Sequence, residues 1–195
     1  CLLLIKEFAS RIGLIRLVKQ LFKTNDHTQC RIHKDPDNLM QLVYQIIASY
    51  FEDNCADELT NDPVMTAILD KEAPASQPTL SRFWNRMDGD TLSQLDMIQS
   101  KMRDIVYSVQ KPEHMLFDLD SMLLNTYGMQ EGEGFNYHYQ GHGYHPLFCY
   151  DGLTGDLLKA ELRDSTQYCS KDADQFMIPL MQEYRSMQTA CRYMF

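Results

Sequence analysis

The chain has 195 residues, enough for one or two domains with a sizeable core. Its 27 acidic and 18 basic side chains give a net charge of −9, which argues against tight, unaided gripping of nucleic acid but leaves room for a local basic patch. Six cysteines form neither a CxxC pair nor a zinc spacing, so reduced thiols are expected. The opening apolar run, Leu2 to Ile5, is broken at once by Lys6 and Glu7. No later stretch is long and apolar enough for a bilayer, and no signal peptide is recognisable. The chain opens at Cys1 directly in helical periodicity, and its last residues, 187–195, show no clear period. Both ends read as cut or displaced.

Residues 2–23 read as one amphipathic helix, with Ile5, Phe8, Ile12, Ile15 and Phe22 at helical spacing and basic residues elsewhere. A polar connector follows. The next helix is expected from Asp37 or Asn38, burying Leu39, Leu42, Val43, Ile46, Ile47 and Tyr50. After an acidic break, Asp62-Pro63 pairs a capping carboxylate with a proline suited to the first turn. Two short helices within 63–88 could form a helix-turn-helix. In that arrangement Arg82, Asn85 and Arg86 are free to face DNA. In a plain helical hairpin, Leu80, Phe83 and Trp84 are simply core. Asp90 is expected to cap a longer helix with Leu92, Leu95, Ile98, Met102, Ile105, Val106 and Val109 inward. It stops before Pro112. That proline divides a helical part, 1–111, from a strand-rich part, 112–195.

The strand-rich part opens on MLFDLDSMLL, residues 115–124, which reads as a buried strand. Alternation puts Asp118 and Asp120 on one face, roughly 7 Å apart. Like charges there call for neutralisation, which a hard divalent cation supplies. A glycine- and tyrosine-rich region follows, then strands at 144–150 and 156–162 around the turn at Asp151-Gly152 and Thr154-Gly155. A helix over 171–185, capped by Ser170, is expected to turn Phe176, Leu180 and Tyr184 inward. Strand, strand, strand, helix is an antiparallel meander with a crossover, unlike the alternation of a doubly wound fold. His138, His142 and His145 have no CxxC pair beside them, so a turn-rich hairpin is favoured over zinc.

The stretches FDLDSMLLNTYGMQEGEGFNYHYQGHGYHPLFCYDGLTGDLLKAELRD, ASQPTLSRFWNRM and YQIIASYFEDNCADELTNDP resemble the DDE-type transposases of bacterial insertion sequences. The resemblance implies an α+β fold: a helical N-terminal region, then the first three antiparallel strands and a helix of a ribonuclease-H-like domain. It also implies strand cleavage and transfer on DNA, Mg²⁺ or Mn²⁺ held by three carboxylates, possible homo-oligomers, and a cytoplasmic protein associated with the nucleoid. By this resemblance Asp120 is the first catalytic and metal-binding carboxylate, with Asp118 the second choice, and Arg163 is a further DNA contact. The family's second aspartate and its glutamate find no counterpart, since the chain changes character at about Ser186. The expectation is therefore a fragment inactive alone, with the edge of the Asp118–Asp120 strand unpaired. A non-catalytic remnant that binds DNA or intact transposase is an alternative. A haloacid-dehalogenase-like phosphatase with Asp118 as nucleophile is another. Met122 in its threonine position, the short remainder and the antiparallel order count against that one.

Overall fold

The computed structural model describes residues 2–26, 28, 30–52, 54–186 and 190–193. The chain divides into two compact units, Cys1–Ser108 and Val109–Phe195.

The first unit is helical: α1 (Leu2–Arg11), α2 (Leu14–Leu21), α3 (Asp35–Ile47), α4 (Cys55–Glu58), α5 (Pro63–Leu69), α6 (Gln77–Trp84) and α7 (Gly89–Val109). The single helix expected over 2–23 is broken at Gly13, whose φ of 81° lies in the left-handed region that glycine adopts without strain. Helix α3 starts at Asp35, ahead of the expected start, with Pro36 in its first turn. Its buried face is also rotated from the expected one. Asn38, Gln41, Tyr44 and Gln45 are buried, while Ile46 and Ile47 are exposed. On this face Asp35 and Gln41 find hydrogen-bond partners inside the unit, while the Asn38 amide and the Tyr44 hydroxyl are buried without one among the described residues.

Helix α5 begins as expected. The Asp62 carboxylate accepts from the N–H groups of Val64 and Met65. The connection from α5 to α6, residues 70–76, is longer than the three or four residues of a DNA-binding helix-turn-helix. Helix α7 is capped by Asp88 rather than Asp90. Asp88 Oδ1 accepts from Thr91 N–H, and Thr91 Oγ1 accepts from Asp88 N–H. Of its expected inward residues Ile98 is buried, Leu95 and Met102 pack partly on the core, and Leu92, Val106 and Val109 are exposed. The core gathers Val18, Phe22, Tyr44, Met65, Leu80 and Phe83.

The second unit holds β1 (His114–Ser121), β2 (Leu124–Asn125), β3 (Gly134–Asn136), β4 (Gly141–Tyr144), β5 (Leu147–Asp151), β6 (Leu157–Glu161), α8 (Ala173–Ser186) and β7 (Ala190–Tyr193). The expected strand 115–124 is two strands in different sheets, and so is 144–150. One sheet runs β6-β5-β1-β7, and the other runs β2-β4-β3. β1 and β5 pair antiparallel with Asp118 opposite Tyr150 and Asp120 opposite Phe148. β5 and β6 form the expected hairpin. Helix α8 buries Phe176, Leu180 and Tyr184 as expected, and the Tyr184 ring meets Phe117 edge-on with centroids 5.6 Å apart.

A strand does follow α8. β7 pairs parallel with β1, from His114 opposite Ala190 to Phe117 opposite Tyr193. The expectation of a fully unpaired edge is thus corrected for 114–117. Residues 118–121 have no partner on that side among the described residues. Four residues of mixed type, Ala-Cys-Arg-Tyr, carry too little periodicity to announce a strand. The rest of the tail, 187–189 and 194–195, lies outside the described residues.

Candidate functional site

Alternation along β1 turns Met115 and Phe117 into the core. The same alternation puts Asp118 and Asp120 on the opposite, exposed face. Antiparallel partners share a face, so Tyr150 flanks Asp118 and Phe148 flanks Asp120. Asp120 Oδ1 accepts from the N–H of Ser121 at 2.8 Å, which fixes the carboxylate at the strand's end. Asp120 also reaches the rim of an apolar groove of about 690 Å³ between β1, β5 and the start of α8, where Asp174 is a second carboxylate.

Hard carboxylate oxygens are the donors a Mg²⁺- or Mn²⁺-sized ion prefers. Asp118 and Asp120 supply them in open solvent, so the donor chemistry fits. The number of donors is small. Among the described residues no three His, Cys, Asp or Glu side chains gather into a metal-holding group.

The four sequence-predicted DNA contacts are in different situations. Arg82 and Asn85 are exposed on and just after α6, next to Trp84, which is 46% exposed. Arg86 is tied inward. It donates to Thr24 Oγ1 at 3.3 Å and to Asp35 Oδ1 at 3.2 Å, and its guanidinium lies over the Phe83 ring. Arg163 is 5% exposed and clamps backbone. Its Nε donates to the His145 carbonyl, and its Nη1 donates to the carbonyls of Cys169 and Lys171. Both arginines hold loops in place, a role that sequence spacing does not reveal.

The histidines also separate. His142 stacks edge-on against Phe135, and His138 against Tyr139. His145 is buried, and its Nε2 lies 3.7 Å from Cys169 Sγ. The loop after β6 brings Cys169 to it. Ser121 Oγ donates to the same sulfur at 3.3 Å. A partner 24 positions away leaves no local signal.

No curated protein and no solved structure matches the chain. The family model described as Transposase DDE domain group 1 matches residues 1–195. The helical first unit, the mixed sheet with its crossing helix and this full-length match make the chain a member of the DDE transposase family, group 1.

Proposed function

We propose that Asp120, with Asp118 beside it, is the carboxylate that this chain contributes to a DNA strand-cleavage and strand-transfer centre. The observation that carries this reading is their shared exposed face on β1, the strand between antiparallel β5 and parallel β7. A divalent cation held by Asp118 and Asp120 would supply charge neutralisation at a phosphate and activation of an attacking oxygen. The chain's own contribution is positional: the Ser121 N–H orients Asp120, and the β5 pairing fixes its direction. Two carboxylates hold such a cation weakly. We therefore expect these 195 residues to lack strand transfer by themselves. The antiparallel neighbour of β1 counts against a phosphatase with Asp118 as nucleophile, since that signature belongs to a parallel sheet.

The test is Mn²⁺ titration followed by paramagnetic broadening of the amide signals. Broadening centred on residues 118–121 and lost in Asp120→Asn supports the reading; broadening elsewhere, or none, overturns it. Metal-dependent strand transfer by these residues alone would sink the expectation of inactivity.

A second, non-catalytic reading rests on α6. Arg82 and Asn85 face outward from a helix that Leu80 and Phe83 anchor in the core, which suits contact with a DNA backbone. Arg86 and Arg163 are left out of that surface because they are tied inward, Arg86 to Thr24 and Asp35 and Arg163 to backbone carbonyls. Binding of duplex DNA that weakens with salt and is reduced in Arg82→Ala supports it, and the slope of log affinity against log salt should fall by about one. Unchanged binding in that variant removes Arg82 from the surface.

A further inference from the structure

Cys169 is exposed, and three neighbours act on its sulfur or its loop. The first is His145. Its Nδ1 faces the Gln167 carbonyl at 2.9 Å, and a carbonyl can only accept. Nδ1 therefore carries the proton, and Nε2 presents its lone pair to Cys169 Sγ. The second is Ser121, whose hydroxyl donates to the sulfur at 3.3 Å. The third is Arg163. By binding the carbonyls of His145 and Cys169 together, it holds base and thiol at one spacing. The Tyr139 ring, edge-on to His145 at 5.6 Å, limits the imidazole's rotation. Beside the pair is a cleft of about 240 Å³ lined by Phe135, Tyr137 and Tyr168. A base with a fixed tautomer, a hydrogen-bonded sulfur and an adjoining cleft is the environment in which thiols react.

We propose that Cys169 is a thiol-modification site that forms a mixed disulfide with low-molecular-weight disulfides. His145 Nε2 takes the Cys169 proton, and the sulfur attacks one sulfur of the disulfide. A new S–S bond forms to Cys169 as the old one breaks. The departing thiolate takes the proton from His145 and leaves as a free thiol. The small disulfide is the oxidant, and the protein sulfur is oxidised.

The other cysteines supply internal controls. Cys30 is exposed, and among the described residues no histidine is hydrogen-bonded to its sulfur. Cys149 is buried, and burial, reinforced by Asp118 and Asp151, pushes its thiol up to about 12.

The experiment exposes the folded chain to oxidised glutathione, quenches with acid over time, and locates adducts by mass spectrometry. Cys169 should be modified about tenfold faster than Cys30, with Cys149 unmodified. His145→Gln should bring Cys169 down to the rate of Cys30. Because His145 is buried, Ser121→Ala is the second variant, and it should slow Cys169 without changing Cys30. Equal rates at Cys169 and Cys30 in the unaltered chain overturn the proposal, and so does a rate at Cys169 that neither variant changes.

Discussion

Gln41 holds the backbone of Ala75 from both sides. Its Nε2 donates to the Ala75 carbonyl at 2.8 Å, and its Oε1 accepts from the Ala75 N–H at 2.7 Å. A side-chain amide thus replaces a peptide group as the partner of a buried loop residue, one position before the Ser76 cap of α6. The bond joins α3 to the start of the helix that carries Arg82. Replacing Gln41 by Leu leaves both Ala75 groups unpaired in the interior. A loss of about 2–4 kcal/mol is expected for two buried, unsatisfied backbone groups. Denaturant unfolding followed by helical circular dichroism measures it. A loss below about 0.5 kcal/mol, within the range of an ordinary surface change, would show that the clamp contributes little.

Asp35 is the hub of the connector before α3. Burial alone would push its carboxyl up. The Thr24 N–H and hydroxyl, then Arg31 and Arg86, outweigh that and hold it below the usual carboxylate range. Asp26 is drawn down to about 2, chiefly by the Thr28 hydroxyl and N–H, with Arg31 adding to it. A carboxyl whose folded value is depressed binds its proton more readily in the unfolded chain. Its stabilisation is present above the unfolded value, about 3.9, and fades as pH falls through the lower folded value. The helical unit should therefore weaken as pH drops below about 4. In Asp35→Asn that dependence should flatten, with lower stability at neutral pH. Thermal unfolding at pH 7 and pH 3 compares the two, and an equal acid loss in both proteins would remove Asp35 from the account.

Gly143 is where the small sheet closes on itself. A Cβ there would lie 2.0 Å from the Leu124 carbonyl oxygen, a backbone atom in the paired strand β2. Gly143→Ala must separate β2 from β4. Faster amide exchange across 124–125 and 141–144 is expected, while β1, β5 and β6 keep their protection. Exchange measured by mass spectrometry tests this, and uniform protection in the variant would contradict it.

Asp120→Asn should separate function from stability. The side chain is exposed, and among the described residues it accepts from the neighbouring Ser121 N–H, a bond that an amide oxygen can also accept. A stability change within about 0.5 kcal/mol is expected. Divalent-cation contact at residues 118–121 should be lost. A large loss of stability would mean that Asp120 holds the sheet together rather than serving a ligand.

Phe117 and Tyr184 tie β1 to α8, and Phe117→Ala should cost about 3–5 kcal/mol because it empties a fully buried aromatic site. Unfolding monitored in the near-ultraviolet gives the value. A cost near 1 kcal/mol would show that the groove beside Phe117 lets the site collapse.

Features with a local cause are legible in the amino-acid order alone. The Asp62-Pro63 helix start depends on adjacent residues, and the β5–β6 hairpin depends on its turn. The shared face of Asp118 and Asp120 follows from strand alternation alone, and α8's buried face from helical period. The quoted motifs were enough to indicate the family. Which polar groups face inward depends on long-range contacts. Asp35, Gln41 and Arg163 look like solvated residues in sequence, yet each is buried where distant backbone or side chains offer it hydrogen bonds. The same holds for β7, whose four residues become a strand through the open edge of β1. It holds again for the meeting of His145 with Cys169, where chain folding joins two residues that periodicity treats separately. Local rules fix what a segment can form; which groups meet depends on long-range pairing, and that depends on the whole chain at once.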